Sequence, residues 1–198
     1  MIQRIRLRRT FIAAALIMTI TSCSGSQTPP SAGASASATT KQQSASPISL
    51  SATCTDKAGD GKGDNDLTGV TLKRDGDKLA VTVDTTHPIP TSGTALFAVS
   101  AWSEDGETGY QLGVKYVDGQ QIAHFVFNPT TASQANLNGD VNTTGNTTTA
   151  TFPLSELDSL GESFRWSAVF TIEGNDVDTC PEPGEDMLNP KRQTFPGK

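Results

Sequence analysis

The chain has 198 residues, with 15 Lys and Arg against 21 Asp and Glu and a formal charge of −6. Four of the basic residues, Arg4, Arg6, Arg8 and Arg9, fall in the first nine positions, so everything after Cys23 carries 11 basic against 21 acidic side chains and a charge of −10. A surface that acidic repels phosphate backbones and anionic head groups, which argues against nucleic acid as a partner and against a basic patch as the means of holding a membrane.

The arginine-rich start runs into an apolar stretch over residues 11–20, then the small pair Thr21-Ser22, then Cys23. That order of charged, apolar and small segments reads as a secretory signal over residues 1–22. The apolar run is about ten residues, roughly half of what a spanning helix needs. The cysteine placed directly after the small pair resembles the lipobox of bacterial lipoproteins. In that family the peptide is cut before the cysteine, and the cysteine thiol carries the lipid. The resemblance implies a mature chain that begins at a lipidated Cys23 and is anchored by acyl chains to the cell membrane on its extracytoplasmic face. Arg8-Arg9-Thr10-Phe11-Ile12 also resembles a twin-arginine export motif, although Leu7 stands where that family prefers Ser or Thr, so the export route is left open.

Residues 24–47 are Ser, Ala, Thr, Gly, Pro and Gln with Lys41 as the single charge. Such a composition buries too little apolar surface to offset its ordering entropy, and a tether is expected over residues 23–47. As a flexible coil it reaches roughly 25–30 Å. One folded domain is expected over residues 48–187, followed by a loose tail over residues 188–198.

Period-two alternation dominates the folded part. Ile48, Leu50 and Ala52 alternate with polar residues, as do Val70 and Leu72, then Leu79, Val81 and Val83. Asp75-Gly76 between the last two runs predicts a hairpin. Residues 94–102 are apolar on both faces, as a central strand would be. Residues 109–117 alternate again, and Asp118-Gly119 turns the chain into a strand over residues 122–127. Short strands are expected over residues 147–152 and 164–172. Between them Pro153, Ser155 as a cap, Asp158 and the terminating Gly161 predict one short helix. Eight or nine strands with Gly-, Asn- and Asp-bearing turns and no βαβ rhythm predict an all-β antiparallel β-sandwich, immunoglobulin-like or jelly-roll-like.

With Cys23 lipidated, Cys54 and Cys180 remain. In an exported compartment the even count favours a Cys54–Cys180 disulfide, against the alternative of two buried thiols. Acidic residues crowd both cysteines: Asp56, Asp60, Asp64 and Asp66 on one side, Asp176, Asp178, Glu182, Glu185 and Asp186 on the other. A bridge would bring two acidic loops to one end of the sandwich. Carboxylates arriving from two loops suit Ca²⁺, a hard cation that takes six to eight oxygens, and Asp56, Asp60, Asp64, Asp66, Asp176 and Asp178 are the candidate ligands. The competing reading is a set of solvated turn aspartates. No EF-hand spacing supports calcium: counted from Asp56 the third position is Ala58, and counted from Asp60 it is Lys62.

Of the aromatic residues, Trp166 shares a strand face with Phe164 and Phe170, and Tyr110 and Tyr116 lie with Leu112 and Val114, so all three belong in a core. Trp102 ends its strand beside Ser103-Glu104-Asp105-Gly106 and is the candidate exposed ring for ligand binding. His124 is in strand phase with Val126, and His87 sits in the loop Thr86-His87-Pro88; neither pairs with a second ligand in a zinc or haem pattern. No serine-hydrolase elbow, zinc-protease helix or phosphate loop appears, so no catalytic residue is assigned.

Asp56-x-x-x-Asp60-Gly61 leading into Asp66-Leu67-Thr68-Gly69-Val70, then Arg74-Asp75-Gly76-Asp77-Lys78-Leu79, has a recognisable cadence. So has Thr151-Phe152-Pro153-Leu154-Ser155-Glu156-Leu157, followed by Phe164-Arg165-Trp166 and Asp176-x-Asp178-x-x-Pro181. Together these resemble the DOMON and family-nine carbohydrate-binding sandwich modules, whose members bind sugars, haem or calcium. The resemblance implies a binding sandwich, and the tether with an all-β domain lacking a catalytic motif makes a non-enzymatic role the expectation. The aromatic platform and haem-ligand pattern of those modules are not evident. The expectation is therefore a membrane-anchored extracytoplasmic lipoprotein whose domain binds a ligand or an envelope partner. The alternatives are a carbohydrate-binding module for envelope glycan, or a hydrolase with a noncontiguous site.

Overall fold

The computed structural model describes residues 50–182 and 191–197. The signal, Cys23, the tether and the expected domain end at residue 187 lie outside the described residues. Two antiparallel sheets face one another, as the alternation predicted. The first has five strands: β1 (Ser51–Thr55), β2 (Leu67–Asp75), β3 (Lys78–Thr85), β8 (Val141–Thr144) and β9 (Thr147–Pro153), in the order β1-β2-β3-β9-β8. The second has seven: β4 (Thr94–Ser103), β5 (Gly109–Val117), β6 (Gln120–Asn128), β7 (Ser133–Asn136), β10 (Phe164–Ile172), β11 (Asn175–Cys180) and β12 (Gln193–Phe195). Its path is β11-β10-β4-β5-β6-β7, and β12 adds to β10.

Inward residues of both sheets form one core. Val70, Leu72, Leu79, Val81 and Val83 meet Phe97, Val99, Leu112, Trp166 and Phe170, all buried. Phe97 and Phe170 stack with ring centroids 4.5 Å apart, directly opposite one another across β4 and β10. Trp166 is wholly enclosed, and Tyr116 is buried with its hydroxyl 2.8 Å from Thr143 Oγ1, so these aromatics are core groups as expected.

The turns follow backbone chemistry. At Asp118-Gly119 both residues have positive φ, 49° and 75°, the mirror-image turn that matches strand twist. The first hairpin pairs Asp75 with Lys78, so its turn residues are Gly76-Asp77, one place later than Asp75-Gly76. Gly76, at φ 60°, supplies the left-handed position.

Three local expectations are corrected. The predicted helix is a pair of single 3₁₀ turns, Leu154–Glu156 and Asp158–Leu160, which seat Leu157 and Leu160 in the core. A segment this short forms no stable α-helix by itself, and anchoring two leucines settles its shape. Among the described residues twelve strands replace eight or nine, because β7, β8, β11 and β12 are short and polar edge strands with little alternation. The tail is not loose over residues 193–195: β12 pairs with β10, and Phe195 stacks on Phe164 at 4.8 Å.

One side of the sandwich is closed covalently. Cys54 on β1 and Cys180 on β11 form a disulfide, with Cα atoms 6.0 Å apart, so edge strands of the two sheets are joined. Gly197 adds a backbone N–H bond to Ser51 O at 2.8 Å on the same edge. An edge strand otherwise exposes unpaired backbone groups, and these contacts cover it.

Candidate cation site

The disulfide sets the site. Asp56 follows Cys54 by two residues and Asp178 precedes Cys180 by two, so joining the cysteines brings both carboxylates to one end of the sandwich. Between β1 and β2 the chain makes a loop over residues 56–66. Its first residue is fixed by Asp56 N donating to Thr68 O at 3.1 Å.

Asp66 organises that loop. Its carboxylate accepts the N–H of Gly59 and, at 3.0 Å, the N–H of Gly61. Gly61 leaves room for that carboxylate: a Cβ there would lie 2.2 Å from Asp66 Oδ1 and would push it off the Gly59 and Gly61 N–H groups. Asp178 ties the loop's exit to the opposite sheet: its Oδ2 accepts Leu67 N at 2.8 Å and its Oδ1 accepts Thr179 N at 2.7 Å. Asp66 and Asp178 are 3% and 6% exposed, and burial of two carboxyls this deep is sustained only by such bonds.

Asp56, Asp60, Asp178 and Glu182 each offer a carboxylate oxygen, and these four oxygens lie within 4.8 Å of one another. The group could hold a metal ion. Asp56 Oδ2 is buried and, among the described residues, makes no hydrogen bond.

The electrostatics record the crowding. Burial, a hydrogen bond with the Asp66 carboxylate and the charge of Asp56 push the Asp178 carboxyl up to about 7. Burial, then the charge of Asp60, also raises Asp56, although the neighbouring Asp178 carboxyl opposes this by hydrogen bonding. Asp66 goes the other way. Burial works against its ionisation, but the Asp178 carboxyl and the Gly59, Gly61 and Asp60 backbone overcome that and hold it below the usual carboxylate range. At neutral pH Asp178 therefore stands near half-protonation, with Asp66 ionised beside it. A proton or a cation relieves the same repulsion.

Of the six aspartates expected here, the structure brings together Asp56, Asp60 and Asp178. Asp66 is a positioning group beside them. Asp64 and Asp176 fall outside: Asp64 is exposed on the loop, and Asp176 is turned to the Thr171 hydroxyl at 3.1 Å. Strand β11 explains the split: residues two apart on a regular strand share a face, but the pairing with β10 slips between Phe170 and Thr171, so Asp178 faces with Phe170 and Asp176 with Thr171. Glu182 joins the group instead. Its place two residues beyond Cys180 was the available signal, because it mirrors Asp56 across the disulfide.

Trp102 lies half-buried on the outer face of the seven-stranded sheet. Its ring packs on the Gly109 backbone, where a Cβ would come within 2.5 Å, and Arg192 Cζ lies 5.8 Å from the ring centroid. A stacking ligand would compete with Arg192 for this ring. His124 is 2% exposed against Phe152, at 4.7 Å between centroids, and neither ring nitrogen makes a well-formed hydrogen bond. Burial holds its pKa below the ordinary histidine value despite the nearby Gly139 backbone.

The fold and the site together define a two-sheet antiparallel sandwich with an acidic, disulfide-fastened end. Among known proteins, no family model, curated protein or solved structure matches the chain. Among the described residues no helix is long and apolar enough to cross a membrane.

Proposed function

We propose that the protein is a lipid-anchored extracytoplasmic lipoprotein whose sandwich is a non-enzymatic binding domain, and that the acidic end takes Ca²⁺. The observation that carries the cation is the meeting of Asp56, Asp60, Asp178 and Glu182 within 4.8 Å beside a disulfide. The donors are all carboxylate oxygens. Oxygen-only sets suit Ca²⁺ or Mg²⁺, and ligands from two separate loops suit the larger ion with its flexible coordination. Bound there, calcium would replace the proton of Asp178 and stiffen the loop over residues 56–66. The anchor rests on the charged, apolar and small order that ends at Cys23.

Fatty-acid labelling of cells expressing the chain and its Cys23→Ser variant tests the anchor. Label on the first and not on the second is expected; label on neither removes it. Purified protein that turns over a polysaccharide or a peptide would end the non-enzymatic reading.

A further inference from the structure

A groove of about 660 Å³ opens beside the cation site, where three loops meet: residues 62–65, residues 87–90 and the turn between β10 and β11. Its walls are held by hydrogen bonds between the loops. Asn65, 6% exposed, donates from Nδ2 to Pro88 O at 3.0 Å, and its Oδ1 accepts His87 N at 3.2 Å and Asp66 N at 3.0 Å. Lys62 N donates to Val177 O at 2.7 Å. One buried amide and one backbone bond thus fasten the loops before any ligand arrives, which lowers the ordering cost of binding.

Two chemistries line the groove. Pro88, Pro90, Ile172 and Val177 supply aliphatic surface. Asp64, Glu173 and Asp176 supply three carboxylates against the one ammonium of Lys62. The Thr171 hydroxyl engages one oxygen of Asp176, and the Thr94 N–H engages one oxygen of Glu173, while among the described residues the second oxygen of each accepts no hydrogen bond. An aliphatic stem with a cationic end is complementary to that arrangement, since such side chains lay their methylenes on apolar surface and keep the charge at its rim.

We infer that this groove binds a lysine side chain presented by an extended peptide of a partner protein. This names a ligand class for the binding role proposed above and rests on that role, but it does not require the cation. Asp64 and Asp176, which stand outside the cation group, are the charge-selecting residues. Asn65 is a positioning residue.

The test uses the full ¹⁵N-labelled chain carrying Cys23→Ser and two peptides, acetyl-Ala-Lys-Ala-amide and its Nε-acetyl-lysine counterpart. Saturable amide shifts in residues 62–65, 87 and 173–177 are expected with the lysine peptide. The acetylated peptide, Asp64→Asn and Asp176→Asn should each weaken binding by about threefold, the scale of a solvent-exposed ion pair. Equal affinity for both peptides, shifts elsewhere, or no shifts would overturn the assignment. Calcium added to the same sample should move the Gly61 and Thr179 amides. That response tests the cation separately from the groove.

Discussion

Replacing Asp56 by Asn separates the two ways the acidic end can be neutralised. The substitution keeps shape, removes one of four crowded charges and places an amide donor beside Asp178. With a chelator present at pH 8, Asp178 is ionised and repels Asp56. Two unit charges no more than 4.8 Å apart at an effective dielectric of ~20 repel by at least about 3 kcal/mol before screening, and solvent at the half-exposed Asp56 reduces this to roughly 1–3 kcal/mol. The variant should therefore be more stable than the parent by that amount, an unusual sign for a substitution in a buried polar group. The gain should shrink towards pH 5, where Asp178 holds its proton. With calcium the order should reverse. A ligand at a hundred times its dissociation constant stabilises by about 2.7 kcal/mol, and the variant has lost a ligand. Urea unfolding followed by fluorescence of the enclosed Trp166 measures both quantities. A variant less stable than the parent under chelator at pH 8, or one that gains as much from calcium, refutes the reasoning.

Further outcomes follow from the same contacts. Reducing the Cys54–Cys180 bridge, or replacing Cys180 by Ser, opens a loop closed across 126 residues and should cost about 5 kcal/mol in the chain-entropy model, read as a fall in Tm. Burial holds the folded His124 pKa below the unfolded value of about 6.5, so the unfolded chain takes up this proton first and stability should fall as pH drops through that value. Asp178, with its folded pKa raised to about 7, has the opposite slope: stability falls as pH rises from about 4 to 7. His124→Phe removes the first slope and exposes the second; unfolding curves for parent and variant that stay parallel from pH 5 to 8 would contradict the histidine assignment. Asn65→Ala strands the Pro88 carbonyl and the His87 and Asp66 N–H groups, and about 2–3 kcal/mol of lost stability is expected in urea.

The sandwich was legible because its central strands obey a simple rule. β3, β5 and β10 carry their core residues on one strand face, and a two-layer fold demands that period; β4, apolar on both faces in the sequence, also buries Ala98 on the face opposite Phe97 and Val99. The edges were not legible. β7 and β8 hold Ser, Gln, Asn and Thr, and their strand character comes from pairing with β6 and β9 rather than from burial. Ile122 shows the limit of alternation: it is in phase with His124 and Val126 but is 57% exposed, since it is the extra residue of β6 where the register with β5 shifts between Lys115 and Tyr116. The cation site was half legible. Two cysteines flanked by aspartates locate it, but choosing Asp178 over Asp176 depends on which face of β11 the slipped register turns inward. The groove was not legible as a site: Asp64 and Asp176 stood out only as acidic neighbours of the cysteines, and its walls come from loops far apart in the chain. Asn65 fastens them through backbone groups that any residue could supply.

Calorimetric titration of calcium into chelator-stripped, disulfide-intact protein at pH 7.5 tests the central claim most directly. One ion should bind per chain, with a proton released from Asp178 and a raised Tm. No heat of binding and an unchanged transition would mean that the acidic end holds a shared proton and nothing else.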